Sequence, residues 1–390
     1  MINLLEIYTE KKLRIYGFAF AAAYAVIMLR LYIKGAWLVD GNGIPVYTDF
    51  TCAWIAGLQA IHDNISALYN PEQFIKVQAE LVVSKAQFYS TWPYPPTFFL
   101  ILTPFSMLPY TTAFLSWNLI SLFGCVAVVY FIVRRLSGIA LVLASPFTAI
   151  NFFGGQNGFI TASLLGAALL SLERQPILAG IFIGCLTYKP HLGILIPVAL
   201  AASRQWRAVA SAAATAIILS GVSVAAFGIR PWEMFPRGFF VHAGILLYDP
   251  RDARDYWAGI QTVYGLVRYL GSSPALAWSV QGITTSALGA VVWFVWRSPV
   301  QYALKAATLS AAALLATPYA YAYDMAAIAI PVAFLVRDQI DGKLLTGEQT
   351  TMLALFLASL PVFLVMGQTA IGVLITLTLF CLILRRVHDR

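Results

Sequence analysis

Long apolar segments follow one another along most of this sequence, and short stretches with charged residues and prolines separate them. Residues 110–133, for example, contain no charged side chain, and about 20 apolar residues are enough for a helix to cross a bilayer. Charged residues make up only 11% of the chain, whereas a soluble domain has about 25%. We therefore predict an all-α polytopic membrane protein.

The basic residues predict how these segments are oriented. Lys11, Lys12 and Arg14 precede the first apolar segment, and lysine and arginine concentrate in cytoplasmic loops. We therefore expect one membrane-embedded domain, 1–390, with about 12 spans and both termini in the cytoplasm. The predicted spans cover residues 15–33, 110–133, 138–152, 158–172, 176–188, 190–203, 208–227, 275–296, 300–316, 325–336, 350–366 and 369–384.

Two longer polar regions should lie on the outer face. Residues 39–92 form the first outer loop, in which we expect interfacial amphipathic helices, and residues 228–262 form the second. The chain should end in a helical hairpin at 337–390. Residues 97–108 are too short to span comfortably, so we expect them to re-enter the membrane or to lie in its interface.

Composition also limits the partners. The net charge of +8 does not indicate nucleic acid, because the basic residues lie in short loops beside apolar segments, where they set orientation. The four cysteines are scattered, and neither a metal cluster nor a disulfide framework is visible. We expect membrane lipids as the surroundings and no nucleic acid as a partner.

Asp49 follows the first predicted span and precedes an amphipathic run. Trp54, Ile55, Leu58 and Ile61 keep helical spacing, which predicts a helix with one apolar face. Tyr69-Asn70-Pro71 then indicates a turn. A carboxylate held at the membrane boundary by a surface helix is suited to activate a hydroxyl group of a membrane-bound substrate, although many such acids are only interfacial residues.

Lys189 and His191 form the second candidate feature. A lysine that lies on the outer side among apolar residues departs from the positive-inside pattern and is a functional candidate. Pro190 separates the two side chains, and the break would leave backbone N–H groups and two side-chain donors near one point, as a phosphate requires. The alternative is that Lys189 extends to the lipid headgroups.

The remaining candidates lie in polar stretches of the same face. Gly154 to Gly158 is a tight turn between short spans or a turn that hydrogen-bonds a sugar through Gln156 and Asn157. Alternating tyrosines precede Asp324 and form an interfacial aromatic belt or a surface on which a sugar stacks. They are Tyr319, Tyr321 and Tyr323. His242 and the charged residues of 230–255 are solvated loop residues, or one or two of the arginines, such as Arg230 and Arg251, reach a phosphate.

Taken in order, four blocks of the sequence resemble the membrane glycosyltransferases of the GT-C superfamily, and specifically glycosyltransferase family 87. That family includes mannosyltransferases that use a polyprenyl-phosphate mannose donor. The blocks are Asp49-Phe50-Thr51 through Asn70-Pro71, Tyr94-Pro95-Pro96 through Leu108-Pro109, Gly155-Gln156-Asn157 through Lys189-Pro190 and Trp206-Arg207, and Thr317-Pro318-Tyr319 through Tyr323-Asp324.

The resemblance implies a GT-C-type bundle and a set of site residues. Asp49 would be the general base on the acceptor hydroxyl, and Lys189 would stabilise the departing phosphate. Many members carry histidine where this chain has Tyr319, so Tyr319 would contact the phosphate as a neutral donor, or His191 or an arginine of residues 230–254 would replace that histidine. Tyr94, Gln156, Asn157, Tyr323 and Asp324 would line the sugar and acceptor site.

We therefore expect an inverting transferase that moves one sugar, such as mannose or arabinose, from a polyprenyl-phosphate carrier to a lipid or glycan acceptor. The site should face the periplasmic or extracellular side of a bacterial cytoplasmic membrane. We expect no cofactor besides the lipid-linked donor and no metal site, with a divalent ion left open. The alternatives are a flippase or transporter of lipid-linked sugars and a ligase or polymerase of surface glycans.

Overall fold

The computed structural model describes residues 10–62, 64–81, 91–248, 253–341, 345–365, 367 and 369–389. Within these ranges the chain is all-helical, and its only β interactions are isolated bridges such as Ile260 to Tyr321. The predicted all-α class is therefore confirmed. The described residues contain fewer candidate membrane spans than the about 12 predicted.

Five helices of the described residues are long and apolar enough to cross a membrane, or six if one bent pair is counted as a span. The sequence-based count of about 12 is not confirmed, because the other apolar helices have 17 residues or fewer and a span needs about 20. The five are α1 (Glu10–Ile33), α5 (Tyr110–Val133), α11 (Trp206–Phe227), α15 (Pro274–Arg297) and α19 (Ile371–His388).

The bent pair replaces the span predicted at 138–152. It consists of α6 (Leu136–Ala144) and α7 (Pro146–Gly154), whose axes differ by 63°. Pro146 causes the break: it has no N–H and disfavours the helical conformation of the residue before it, and Ser145 is accordingly extended. The bend brings the C-terminal end of α7 to the site described below.

The shorter helices fill the centre and the ends of the bundle. In α16 (Tyr302–Ala316), every residue from Ala306 to Ala316 is buried, as expected for a helix that is apolar on all sides. The other shorter helices are α4 (Phe99–Ser106), α8 (Gly158–Ser171), α9 (Pro176–Cys185), α10 (Ile196–Ala202), α14 (Val263–Tyr269), α17 (Ala329–Asp341) and α18 (Glu348–Leu364).

The region predicted as the first outer loop contains two helices. It contains α2 (Asp49–Ile61) and α3 (Pro71–Leu81), and the described part of the chain resumes at 91. A 3₁₀ helix ends at Tyr69, and the Asn70 side chain accepts the backbone N–H of Glu72, so the predicted turn at 69–71 is confirmed. Asn70 is a residue type that favours such a helix start.

The second outer loop is largely helical instead. It forms α12 (Arg230–Tyr248) and α13 (Ala253–Gly259), and α12 packs on the first outer loop. A Cβ built on Gly238 would lie 2.8 Å from the Tyr69 ring, so a glycine is needed for this close contact. The sequence did not reveal this helix because Pro236 lies within it and a proline normally argues against a helix interior.

The C-terminal hairpin is formed by α18 and α19 and is held by buried charges. Arg386 is 1% exposed and pairs with Glu348, at 2.5 Å, and with Asp338 of α17. Arg385 and Arg386 are adjacent basic residues in the last turn of α19. Only Arg385 is exposed, so Arg386 belongs to the packing between these helices.

Candidate active site

A cavity of about 250 Å³ lies where the two outer loops and the segment before α17 meet. Ligand pockets are typically about 300–1,000 Å³, so this one suits a small ligand such as a single sugar ring. Its wall combines an acid, amides, an imidazole and many aromatic rings. It includes Tyr47, Asp49, Thr91, Trp92, Tyr94, Phe98, Trp117, Gln156, Asn157, His242, Tyr319, Tyr321 and Tyr323.

Most of the site residues expected from sequence lie at or behind this wall. Those that line the cavity are Asp49, Tyr94, Gln156, Asn157, Tyr319 and Tyr323. Lys189 and Asp324 are buried behind it, and His191 contacts the Tyr319 ring. Arg230 is exposed at the start of α12 and does not line the cavity, and Arg251 lies outside the described residues.

Asp49 is the first residue of α2, and its neighbours fix that helix end. The Thr48 backbone N–H donates to Thr51 Oγ1 at 2.9 Å, half of a capping box. The Tyr110 hydroxyl lies 2.8 Å from Thr48 Oγ1 and 2.9 Å from Thr51 Oγ1. Because Tyr110 begins α5, these contacts tie the start of α2 to a membrane-crossing helix and hold the Asp49 backbone in place.

Asp49 is exposed to solvent at the cavity, while the protein atoms around the cavity partly desolvate its carboxylate. A Cβ built on Gly154 would lie 3.4 Å from Asp49 Oδ2. Burial raises the pKa of Asp49, and a hydrogen bond with the Gln156 side chain partly opposes that rise. The N-terminus of α2 also favours the ionised form. The side chain can therefore accept a proton from a bound hydroxyl group.

Asn151 holds the turn that carries Gln156 and Asn157. Its Nδ2 donates to the Gln156 carbonyl at 3.1 Å, and its Oδ1 accepts the Gly158 N–H at 2.9 Å. Gly155 has a φ of +65°, which favours glycine. The tight turn expected here is thus present, and Asn151 is a positioning residue that the sequence analysis does not single out.

The Asn157 amide connects this turn to an aromatic wall. Its Nδ2 donates to the Tyr94 hydroxyl at 2.8 Å, whereas its buried Oδ1 has no hydrogen-bond partner. The Tyr94 ring packs on Phe98, and Phe98 stacks on Tyr188 with ring centroids 4.9 Å apart. An acceptor without a partner beside a cavity is a place where a ligand hydroxyl group can bind.

Lys189 and Asp324 form an ion pair behind the wall. Lys189 Nζ donates to Asp324 Oδ1 at 2.5 Å, and both side chains are 2% exposed. Asp324 Oδ2 accepts the Tyr321 N–H, and Lys189 Nζ lies 5.1 Å from the centre of the Tyr323 ring. In this conformation the lysine interacts with protein groups, and the pair supports the backbone that carries the cavity tyrosines.

Three tyrosines form the wall that this pair supports. The Tyr321 and Tyr323 rings are stacked with centroids 5.5 Å apart, and Tyr319 packs edge-on against Tyr321. Burial, and for Tyr319 and Tyr323 the Asp324 charge, raises their pKa values. The hydroxyl groups therefore stay neutral and can donate hydrogen bonds. The ring faces can also stack on a sugar.

His242 of α12 is a cavity residue that the sequence interpretation missed. We had treated it as a solvated loop residue, but it is 7% exposed, and its Nδ1 hydrogen-bonds Thr91 Oγ1. Its ring centroid lies 6.3 Å from that of Tyr319. The sequence indicates this position only weakly, because a single histidine in a predicted loop does not reveal which residues it contacts.

A metal site is not seen among the residues that the structure describes. No group of three or more histidine, cysteine, aspartate or glutamate side chains in these ranges is arranged to hold an ion. The chemistry available to the cavity residues consists of proton transfer at Asp49, hydrogen bonding by amides, hydroxyls and imidazoles, and contacts with aromatic rings.

Comparison with known protein families identifies a glycosyltransferase family model. The model of glycosyltransferase family 87 matches residues 92–318, which include Tyr94, Gln156, Asn157, Lys189 and His242. Asp49 and the tyrosines from Tyr319 onwards lie outside the matched range. No curated protein and no solved structure matches the chain in the corresponding comparisons.

Proposed function

The chain belongs to glycosyltransferase family 87, and from that membership we propose that it transfers one sugar from a polyprenyl-phosphate carrier to a lipid or glycan acceptor. Mannose, arabinose or a similar sugar would move with inversion at the outer face of the cytoplasmic membrane. The observation that carries the proposal is the position of Asp49, a carboxylate accessible through a cavity of sugar size.

Asp49 would act as the general base. Its carboxylate takes the proton of the acceptor hydroxyl while that oxygen forms a bond to the anomeric carbon of the donor sugar. The bond between the anomeric carbon and the phosphate oxygen breaks, and the polyprenyl phosphate leaves with the electron pair. Gln156 supports this role because its hydrogen bond stabilises the ionised carboxylate.

Binding of the sugar would use the amide and aromatic groups of the wall. Asn157 Oδ1 has no partner in the described structure and can accept from a sugar hydroxyl, while Gln156 and Tyr94 provide polar groups on the same wall. Tyr323 provides a ring face for the sugar. Because these groups come from separate parts of the chain held by packing, they would orient the anomeric carbon before reaction.

The donor phosphate would contact Tyr319 and Lys189. Tyr319 lines the cavity and is a neutral donor. Lys189 is paired with Asp324 at 2.5 Å, so phosphate binding by Lys189 would require that the pair opens or is shared. Asp324 would then act through Lys189 and through the backbone of Tyr321.

A flippase or transporter of lipid-linked sugars is the second candidate. Lys189 favours it in one respect, because it lies where α9 breaks into two 3₁₀ helices, Leu186–Tyr188 and Pro190–Gly193. Broken helices with ionisable groups are typical of transporter sites. The accessible Asp49 carboxylate favours the transferase, because sugar translocation requires no general base.

The test is sugar transfer by the purified protein, with a panel of labelled polyprenyl-phosphate sugars. Asp49→Asn keeps the shape of the side chain and removes the base, so we expect a loss of about 100-fold or more in kcat. Asp40→Asn is the matched control: Asp40 belongs to the same loop, and its Oδ1 accepts two backbone N–H groups, which asparagine can also do.

Three outcomes separate the possibilities. Loss of transfer in Asp49→Asn alone supports the mechanism and identifies the donor sugar. Equal activity of Asp49→Asn and wild type contradicts the role of Asp49 but leaves a transferase. If no carrier gives transfer while the wild type moves lipid-linked sugar across vesicle membranes, the transporter replaces the proposal.

A further inference from the structure

His242 combines three properties that a simple packing residue does not need. Its side chain is 7% exposed, it lines the cavity that contains Asp49, and its Nε2 has no hydrogen-bond partner. Leaving a buried polar atom unpaired costs roughly 1–3 kcal/mol. A protein tolerates such an atom most readily where a ligand completes the hydrogen bond.

The protonation of the ring follows from its surroundings. Burial lowers the pKa of His242 to about 4, so the imidazole is neutral at physiological pH and carries one N–H. Its Nδ1 is hydrogen-bonded to Thr91 Oγ1. When the Thr91 hydroxyl donates to Nδ1, the proton of the ring is on Nε2, and the atom without a partner is a hydrogen-bond donor.

The surroundings of this donor indicate which part of a substrate it meets. His242 contacts Thr91 and the Tyr319 ring, whereas Asp49 interacts with Gln156. In an inverting displacement, the attacking hydroxyl and the leaving group lie on opposite sides of the anomeric carbon. The groups near Asp49 and Asn157 include acceptors suited to hydroxyls, whereas Tyr319 and His242 can donate, as a phosphate requires.

We propose that His242 is a phosphate-binding residue for the lipid-linked donor, with Thr91 as its positioning residue. The inference deepens the proposed transferase and rests on it for the identity of the donor. Nε2–H donates to a non-bridging phosphate oxygen. As the bond from the anomeric carbon to the bridging oxygen breaks, that oxygen takes the electron pair and the hydrogen bond stabilises the added charge.

No proton needs to leave the histidine in this step. A phosphate monoester has a second pKa of about 6, so the polyprenyl phosphate is a stable leaving group as an anion. A neutral imidazole that donates without titrating therefore fits the requirement. It also places a histidine donor beside Tyr319, whose ring centroid is 6.3 Å from that of His242.

The experiment measures binding of a long-chain polyprenyl phosphate and of the uncharged polyprenol by the full-length protein in detergent micelles. His242→Asn keeps a polar group near Nδ1 and loses the donor at Nε2, whereas the longer His242→Gln can place an amide N–H near Nε2. We expect His242→Asn to weaken polyprenyl-phosphate binding about tenfold and His242→Gln to retain most of it. Polyprenol binding should not change.

Thr91→Val provides a second variant, because it removes the hydroxyl that selects the tautomer and keeps the shape of the side chain. It should weaken phosphate binding in the same direction and by less. His62→Asn is the matched control, since His62 is exposed at the end of α2. Thermal unfolding of each variant checks that the bundle is intact.

Equal phosphate affinity of wild type and His242→Asn overturns the proposal. So does a loss that appears only when the sugar is attached to the phosphate, which would assign His242 to a sugar hydroxyl. If His242→Asn does not fold, unchanged phosphate binding by Thr91→Val at wild-type stability overturns the proposal as well, because the loss of the hydroxyl that selects the tautomer should weaken binding. If the wild type transfers no sugar but its phosphate binding still depends on His242, the transferase proposal fails and the binding site stands.

Discussion

Charged side chains are buried in two regions of this protein, one behind the cavity and one in the C-terminal hairpin. Behind the cavity, Lys189 and Asp324 form a single ion pair, and each of the two side chains is 2% exposed. In the hairpin, Arg386 lies between two carboxylates, Glu348 and Asp338, and all three are 1% exposed or less. The Lys189–Asp324 pair adjoins the cavity tyrosines, whereas the cluster of three charges in the hairpin joins three helices.

The two regions differ in how completely the charges are satisfied by protein. Arg386 makes a two-bond contact with Glu348, with Nε at 2.5 Å and Nη2 at 2.9 Å, and a further bond to Asp338. Such forked contacts give strong and well-directed pairing. Lys189 is a compact charge on a flexible stem and can exchange partners more readily. Burial of charge thus serves helix assembly in the hairpin, whereas behind the cavity it also supports a ligand-binding wall.

The largest effect on stability is expected in the hairpin. Arg386→Met leaves Glu348 and Asp338 buried without their shared cation, and removing one partner of a buried ion pair costs about 3–5 kcal/mol. We expect a large drop in the free energy of unfolding, measured in mixed detergent micelles. Arg385→Met is the control, because its exposed side chain contacts only the Thr346 carbonyl in the described structure.

The result of this pair of variants tests the comparison directly. Similar stability of Arg386→Met and Arg385→Met would mean that the buried cluster does not hold the hairpin. The contrast between a stabilising cluster in the hairpin and a pair that also supports a binding wall would then fail.

A smaller effect is expected at Lys189 and Asp324. Lys189→Met leaves one buried carboxylate that still accepts the Tyr321 N–H, so we expect a loss of roughly 3 kcal/mol in unfolding free energy. The double variant Lys189→Met with Asp324→Leu should recover much of that stability, because an apolar replacement of a buried pair is often neutral.

The stability and the polyprenyl-phosphate binding of the double variant together distinguish two roles for Lys189. If stability and polyprenyl-phosphate binding both return, the pair only supports the tyrosine wall. If stability returns and phosphate binding does not, Lys189 contacts the donor, as the sequence predicted, and the pair is a resting arrangement of that residue.

The smallest effect concerns the pH dependence of transfer. Because burial raises the pKa of Asp49, the base is protonated, and kcat/KM falls, as pH decreases through a value above that of an ordinary aspartic acid. Gln156→Leu removes the hydrogen bond that stabilises the ionised form, so its acid limb should shift to higher pH. Identical limbs in wild type and Gln156→Leu would contradict this assignment.

Features that depend on neighbouring residues could be predicted from sequence. The helix α5 begins and ends where the apolar segment 110–133 does, α2 follows the amphipathic run, and the turn at Gly155 follows from its glycines. These features depend on hydrophobic periodicity and on turn residues, which are local properties. The predicted count of about 12 spans is not confirmed, because several apolar segments form helices too short to cross a bilayer, and one of them, α16, is largely buried.

The candidate site was predicted in part. Asp49, Tyr94, Gln156 and Asn157 line the cavity together, as the resemblance implied, while their chemical roles stay predictions. His242 was missed because α12 contains a proline and was expected to be a loop. Arg230 is outside the cavity, because its side chain is exposed at the start of α12.

The sequence by itself determined that this chain forms apolar helices, where prolines and glycines interrupt them, and that Asp49 lies at a boundary between apolar and polar segments. Only the tertiary structure decided which distant residues meet: Thr91 with His242, and Lys189 with Asp324. The reason is physical. Helix formation and breakage depend on neighbours within a few residues, whereas these contacts join residues 151 and 135 positions apart and arise only when the helices pack.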